Sequence, residues 1–296
     1  MSYKRIMSTL AVLGLMALAG TAAAADPVNS DSLLWRVETS SNAAPSYVFG
    51  TMHSDRSEVV DLPPKVASAF DGAQRYAFEL DFGGGMQRKV AQQMLSASGT
   101  PLQDQLSDET WDQLTTLAKE RGLPPQALNR FEPWAVAMTF AMPQIRSQQA
   151  LDWVLHRRAE DKGVPVTGLE TVEEQLGIFQ DIARDKQLSL LETVLDMRAQ
   201  GRIGSIHEDS VEAWLNEDLA RLVALAENDP MMPDPKSQAA LKRRLITERN
   251  RRMTERMRPL IDQGGAFVAI GALHLPGDEG IVQQLKEADY EVTAVR

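Results

Sequence analysis

Two apolar runs near opposite ends of the chain share one pattern of hydrophobic and polar positions. The first run is Tyr47–Phe49 and the second is Phe267–Ile270, and each leads into a Gly-x-x-His motif that ends at His53 or His274. After each histidine come a Leu-Pro pair, a segment of helical spacing and a second apolar run that begins near a tyrosine. This order predicts two βαβ-like units, one at each end of the chain.

The same pattern predicts further strands beside the first unit. Leu33–Val37 is predicted to pair with the Tyr47 run as a hairpin, with the turn over Ser40–Pro45. Arg75–Phe82 is predicted to be a strand whose end carries Glu79 and Asp81 on one face.

The middle of the chain is predicted to be mainly helical, from Met86 to about Pro259. The predicted elements are a helix over Asp108–Arg121 with Ser107 as N-cap, a helix from Pro133, a helix over Ser147–Lys162, a short strand over Val164–Leu169 and a long helix over Pro235–Asp262. The fold class is therefore an α/β mixed sheet built from both chain ends. We expect one domain over residues 26–296, with a large helical insertion over about 86–262.

Residues 1–25 have the pattern of a signal peptide. Lys4 and Arg5 precede an apolar run over Leu10–Gly20, and Ala23–Ala25 supplies a cleavage site of the A-x-A type. The run is short for a bilayer span, and an uncleaved membrane anchor is the alternative. We therefore expect an exported chain that is periplasmic or secreted after cleavage near Ala25.

Composition narrows the classes of function. The formal net charge is −10, so the chain as a whole repels nucleic acid. Cysteine is absent, which excludes disulfides, thiolate catalysis and a lipoprotein anchor. The sequence also has no Gly-x-Ser-x-Gly elbow, no Walker A loop and no Gly-x-Gly-x-x-Gly fingerprint.

His53 and His274 are the first candidate site residues. Each follows a buried strand pattern and a glycine, so each is expected at the carboxyl end of a strand, where open α/β sheets place ligands. Packing within the loop would be a sufficient explanation for a single histidine. Packing repeated in two loops does not require histidine, so the matched pair favours a functional role. The other histidines suggest no site. His156 lies within a predicted helix, and His207 lies in a predicted capping box whose Glu208 does not complete an HExxH motif.

Two acidic residues and one arginine are further candidates. Glu79 ends the third predicted strand, where a carboxylate suits a metal ligand or a general base, and Glu170 follows the short strand. Ordinary explanations stay open for both, namely a solvated strand end for Glu79 and stabilisation of a helix dipole for Glu170. Arg249 stands on the apolar stripe of the long helix, between Leu245 and Met253. It is expected to meet either a buried carboxylate or an anionic group at a cleft.

Six short motifs, taken in order, carry a family resemblance. They are Leu34–Val37, Gly50–His53, Phe78–Asp81, Gly168–Thr171 with Gln175, Glu248–Asn250 with Met253, and Gly271–Gly277. Each is weak alone, but the ordered set extends over almost the whole exported chain. In this respect the chain resembles the TraB/GumN family, which includes the Tiki-type metalloproteases.

The resemblance implies an α/β fold of the erythromycin esterase and ChaN type, with a site built from the two Gly-x-x-His motifs and acidic residues between them. In Tiki-type relatives these motifs accompany a peptidase that depends on a divalent metal, with manganese or cobalt favoured. By that analogy His53, His274 and Glu79 are the metal-ligand candidates, and Glu79, Glu170 and Arg249 are the catalytic candidates. A mixed set of nitrogen and oxygen ligands also suits zinc, and the sequence does not choose among the three metals.

The leading hypothesis is a periplasmic metal-dependent hydrolase that cleaves a peptide or protein substrate. Whichever of Glu79 and Glu170 is not a metal ligand would move the proton, and Arg249 would stabilise the oxyanion or a substrate carboxylate. The alternative is a non-catalytic periplasmic protein that binds a peptide, a signalling molecule or haem in the same cleft. A purely structural or regulatory role explains less well why five polar residues stand at strand ends or on an apolar stripe.

Overall fold

The computed structural model describes residues 27–41, 43–83, 85–143, 149–228, 231–232 and 234–296. The predicted signal peptide, residues 1–25, lies outside the described residues. Within these ranges no helix combines the length and apolar character that a bilayer span requires.

One sheet of six described strands forms the centre of the fold. Its order is β4-β3-β5-β2-β1-β6, where the strands are β1 (Leu34–Glu38), β2 (Ser46–Thr51), β3 (Arg75–Phe78), β4 (Val166–Gly168), β5 (Ala266–Gly271) and β6 (Glu291–Ala294). β1 runs antiparallel to both of its neighbours, and the other neighbouring pairs are parallel. The predicted α/β mixed sheet built from both chain ends, with its β1–β2 hairpin, is therefore confirmed.

The two βαβ-like units interlock in this sheet. β5, from the C-terminal unit, lies between β2 and β3 of the N-terminal unit, and Thr51 of β2 is directly opposite Gly271 of β5. β5 is buried along almost its whole length, as expected for a central parallel strand covered on both faces. The two Gly-x-x-His motifs therefore leave neighbouring strands at the same edge of the sheet.

Helices cover the sheet and build the insertion. They are α1 (Ser57–Val60), α2 (Pro64–Asp71), α3 (Met86–Met94), α4 (Asp108–Glu120), α5 (Pro125–Leu128), α6 (Pro133–Ala141), α7 (Leu151–Asp161), α8 (Val172–Gln180), α9 (Arg184–Ala199), α10 (Arg202–Leu215), α11 (Leu219–Asn228), α12 (Pro235–Lys242), α13 (Glu248–Asp262) and α14 (Ile281–Glu287), with 3-10 turns at Leu102–Gln105 and Ala272–His274. The predicted cap of α4 is present, because the Ser107 hydroxyl accepts a hydrogen bond from the Thr110 amide at 3.1 Å.

Several predicted elements differ from the structure at their ends, and two of the differences affect the site. The third strand ends at Phe78 rather than at residue 82, so Glu79 and Asp81 lie beyond it and do not share a strand face. The long C-terminal helix is continuous in course, but Arg243–Thr247 forms a π-helical turn between α12 and α13. Such turns often occur beside functional sites because they re-aim the side chains that follow.

The buried apolar residues form two clusters. One cluster joins the sheet to α2, α7, α11, α13 and α14, and the other packs α3, α4, α6, α8 and α9 against one another. The indole N–H of Trp214, at the end of α10, donates to the carbonyl of Gly50 at 2.9 Å and so ties the insertion to the first Gly-x-x-His motif.

Gly50 is required by close packing at the edge where the two motifs meet. A Cβ at this position would lie 2.7 Å from Leu275 Cδ1 and 3.0 Å from the Ala272 backbone. We expect Gly50→Ala to lower the free energy of unfolding by about 1–3 kcal/mol through overpacking. Urea unfolding of the two proteins measures the difference.

The matched control is Gly177→Ala within α8, where an added Cβ meets nothing within 4 Å. That substitution should stabilise the chain by up to about 1 kcal/mol, because alanine favours a helix over glycine. Equal effects of the two substitutions would refute the close-packing account.

Candidate functional site

Four of the five candidate residues stand in a row along the carboxyl edge of the parallel strands. His53 follows β2, Glu79 follows β3, Glu170 follows β4 and His274 follows β5. Because the strand order is β4-β3-β5-β2, the row runs Glu170, Glu79, His274, His53. The backbone pairing of β3 and β4 continues past the strands, since the Glu170 amide donates to the Glu79 carbonyl at 2.7 Å. This edge is where parallel α/β sheets hold ligands.

Arg249 reaches the same edge from α13 and binds both carboxylates. Its Nη2 is 2.6 Å from Glu79 Oε2 and 2.7 Å from Glu170 Oε2, and its Nε donates to Glu170 Oε2 at 2.8 Å. The side chain of Arg249 is 1% exposed, and those of Glu79 and Glu170 are 7% and 0% exposed. Of the two environments predicted for Arg249, the structure therefore shows the buried carboxylates.

Further donors complete the carboxylate contacts. The Gln175 amide donates to Glu79 Oε2 at 3.2 Å and to Glu170 Oε2 at 3.0 Å. Arg252 donates to Glu170 Oε1 at 2.9 Å, and the Gly271 amide donates to Glu79 Oε1 at 2.6 Å. Both oxygens of each carboxylate therefore bind cationic or amide donors, and Oε1 of each has a single donor and keeps a lone pair.

One donor of Arg249 is unused. Burial lowers the pKa of this guanidinium, but the charges of Glu79 and Glu170 more than offset burial, and the net effect is a raised pKa. Arg249 is therefore a permanent cation, yet its Nη1 has no hydrogen-bond partner in the described structure. A buried donor without a partner is uncommon in proteins and marks a position where an oxygen atom can bind.

His274 is buried, and its contacts define which ring nitrogen carries the proton. Asn250 Nδ2 donates to the Glu279 carbonyl at 2.8 Å, so Asn250 Oδ1 faces His274 Nδ1 at 2.5 Å. An amide oxygen only accepts, and Nδ1 must therefore carry the proton. Burial, followed by the charge of Arg249, holds the pKa of His274 well below its ordinary value. The ring is thus neutral, with a bare lone pair on Nε2.

That lone pair faces a second acceptor. His274 Nε2 is 3.7 Å from Glu79 Oε1, and a neutral ring provides no proton between them. Two ligands of one tetrahedral ion, each at a bond length near 2.1 Å, stand about 3.4 Å apart. The pair therefore fits a divalent cation in spacing and in chemistry. It is a partial set, however, because no group of three or more His, Asp or Glu residues suited to a metal occurs in the part of the chain that the structure describes.

His53 is positioned by the first turn of α7. Its Nδ1 is 3.4 Å from Asp152 Oδ2, and Asp152 Oδ1 accepts a 2.6 Å hydrogen bond from the Thr51 hydroxyl. The Leu151 amide donates to the Ser54 carbonyl at 3.1 Å, which ties the start of α7 to the His53 loop. A carboxylate facing Nδ1 favours a proton there and leaves Nε2 of His53 free to bind a ligand.

Sequence reasoning missed several partners in this region. Asp152 and Asn250 contact the two motif histidines, but neither was a candidate. Asp81 points away from the row, with a side chain that is 58% exposed and 3.0 Å from His156 Nε2.

The capping-box prediction around His207 is wrong, because this residue lies inside α10. Burial lowers the pKa of His207, and His53 is among the groups whose charge acts on it, so the two histidines are neighbours.

The chain is similar to one protein family over almost its whole described length. The family model described as TraB/PrgY/gumN family matches residues 33–294. The uncharacterized protein YbaP of Escherichia coli (strain K12) is 25% identical over 255 residues, which cover 81% of this chain and 87% of the relative.

Animal relatives are similar at the same level. Metalloprotease TIKI2 of Danio rerio is 25% identical over 313 residues, covering 88% of this chain and 60% of the relative. Metalloprotease TIKI1 of Homo sapiens is 25% identical over 315 residues, covering 88% of this chain and 61% of the relative. No solved structure is significantly similar to the chain.

Removal of the Arg249 charge should unfold the site. Arg249→Met keeps the volume but leaves two buried carboxylates uncompensated, so we expect the free energy of unfolding to fall by about 3–5 kcal/mol. Arg243→Met is the matched control, since Arg243 is 69% exposed and should contribute little.

If Arg249→Met fails to fold, the triple variant Arg249→Met, Glu79→Gln, Glu170→Gln should recover a cooperative urea transition, because the uncompensated buried carboxylates are gone and Arg252, which loses its contact with Glu170, is 30% exposed to water. Arg249→Met with unchanged stability would contradict the buried ion-pair network.

His274 should make the chain sensitive to mild acid. Its pKa in the folded chain lies below the ordinary 6.5, so below that pH the unfolded chain binds a proton that the folded chain excludes. Stability should therefore fall as the pH is lowered from about 7.5 to about 5. We expect His274→Gln to lose part of this pH dependence, measured as the free energy of unfolding in urea with EDTA present. If the free energy of unfolding changes with pH equally in the variant and the wild type, His274 is not the source of the acid sensitivity.

Proposed function

The chain belongs to the TraB/PrgY/gumN family, and on that premise we propose that it is a hydrolase of peptide bonds that depends on a divalent metal. The observation that carries the proposal is the bare Nε2 of His274 opposite Glu79 Oε1. The printed names of the TIKI relatives add support, since they are metalloproteases. This chain spans about 60% of those relatives, and peptidase activity is therefore our proposal for it.

His274 and Glu79 would hold the metal in this proposal, and His53, which follows the adjacent strand β2, would complete the ligand set on metal binding. Each imidazole is held through Nδ1 by an oxygen, which leaves Nε2 as the donor, and this arrangement is usual for metal-binding histidines. Manganese, cobalt and zinc all accept such nitrogen and oxygen ligands. When bound, a divalent ion would supply Lewis acidity and a more acidic bound water.

The remaining residues would orient the substrate and move protons. Arg249 Nη1 is a strong donor without a partner among the described residues, so it would bind the carbonyl oxygen of the scissile bond and stabilise negative charge there. Because Glu79 would be a metal ligand, Glu170 would move the proton, through Oε1, which within the described ranges accepts a hydrogen bond from Arg252 alone. The other oxygen of Glu170, Oε2, would hold Arg249 in place.

The proposed setting is the periplasm or the extracellular space, as the N-terminal sequence pattern suggests, with a peptide or protein as substrate.

A second candidate function follows from a specific observation. Arg249 already neutralises the two carboxylates that a metal would require, which suits a metal-free cleft that binds a peptide, a signalling molecule or haem.

Metal binding separates the two candidates. We expect one Mn²⁺, Co²⁺ or Zn²⁺ ion to bind per chain by isothermal titration calorimetry, and His53→Ala and His274→Ala to lose both binding and peptide hydrolysis while unfolding cooperatively. Asp152→Asn should weaken metal affinity by about 10–100-fold, because the support of His53 is altered. Glu192→Gln, on the exposed face of α9, is the control with unchanged affinity.

Retained hydrolysis in both alanine variants would end the proposal. A wild-type chain that binds none of the three ions would favour the metal-free cleft, and a Soret band on addition of haem would then identify haem as its ligand.

A further inference from the structure

A pocket of about 470 Å³ lies on the outer side of the loop that carries His274. Its size is within the range of ligand-binding clefts. The walls are the loop from Leu273 to Gly280, the π-helical turn at Ile246 and Thr247, and the side of α11 at Val223. Most of the lining surface is apolar, so the interior suits a hydrocarbon stem.

Carboxylates surround this apolar interior. Asp278 and Glu279 are exposed at the pocket, and within the described residues neither carboxylate has an ion-pair partner. Glu279 Oε2 accepts a hydrogen bond from the Thr247 hydroxyl at 2.8 Å, which fixes that carboxylate at the rim. The one cation in the lining, Lys242, pairs with Glu227 and is therefore neutralised. The rim retains an excess of negative charge.

The pocket shares two walls with the buried site. Leu273 borders the pocket and the next residue, His274, enters the site, while Thr247 borders the pocket and Arg249 lies two residues further on. The Glu279 carbonyl accepts from Asn250 Nδ2 at 2.8 Å, and Asn250 in turn holds His274. A ligand in the pocket therefore contacts the loop and the helix turn that position the candidate metal ligand.

We infer that this pocket binds a lysine or arginine side chain of the peptide substrate. An apolar interior would bury the methylene stem, and the unpaired carboxylates of Asp278 and Glu279 would bind the ammonium or guanidinium group at the rim. The inference rests on the proposed peptidase function, since it assigns the residue type that the substrate presents beside the site.

Binding of three labelled peptides tests the inference without turnover. The probes are fluorescein-labelled Ala-Ala-Xaa-Ala-Ala with lysine, norleucine or glutamate at Xaa, and anisotropy with EDTA present gives each Kd. We expect lysine to bind about five- to tenfold more tightly than norleucine, since two partly exposed ion pairs supply roughly that factor. Glutamate should bind most weakly.

Two kinds of variant locate the effect. Asp278→Asn with Glu279→Gln should remove the preference for lysine over norleucine, whereas Glu192→Gln, which removes one exposed carboxylate charge on α9, should preserve it. Val223→Trp should fill the pocket from a helix surface and weaken binding of all three peptides.

Equal affinities for lysine and norleucine, or a lysine preference that survives the double variant, would overturn the pocket assignment. Failure of the proposed hydrolysis looks different. In that case lysine preference and its loss in the double variant would hold, while no divalent ion would support cleavage of the lysine peptide.

Discussion

A single buried guanidinium holds the sheet and the helical insertion together at the site. Arg249 comes from α13, and Glu79 and Glu170 come from the ends of two neighbouring strands. Each charge would cost several kcal/mol to bury alone, so the three can leave water only together. Closure of α13 over the sheet and assembly of the acidic pair are consequently one event.

The position of β5 is the second constraint, because it requires the two ends of the chain to pair in one sheet. Because β5 lies between β2 and β3, the C-terminal histidine stands between residues from the N-terminal unit. The row of Glu170, Glu79, His274 and His53 thus requires strands from both ends and one strand from within the insertion. Gly50 and Gly271 allow the neighbouring turns to approach closely, since an added Cβ on Gly271 would lie 3.0 Å from Glu79 Oε1. The strand order and the close approach of the backbone at these glycines therefore set the positions of the site residues.

The sequence predicted the elements and the candidates better than their contacts. The hairpin, the matched motifs and Arg249 on its apolar stripe depend on local periodicity, which is visible within a short window. The insertion of β5 into the N-terminal unit depends on pairing across the chain, and no local pattern encodes it.

Asp152 was missed for the same reason. Its partner His53 is 99 residues away, and an aspartate in the first turn of a helix already has an ordinary explanation in the helix dipole. Strand β3 was predicted four residues too long, because the apolar pattern continues through Leu80 and Phe82, which pack into the insertion cluster instead.

The two motif histidines are matched in sequence but differ in support, and this difference has chemical consequences. His274 is backed by the neutral amide of Asn250, which fixes the ring orientation without favouring a charge. His53 is backed by the carboxylate of Asp152, which would orient the ring and strengthen its donation to a cation. Burial and the Arg249 charge keep His274 neutral. The matched motifs therefore place two imidazoles with different supports at one edge, and the residues that distinguish them, Asp152 and Asn250, belong to the helical insertion, which has no counterpart in either repeat.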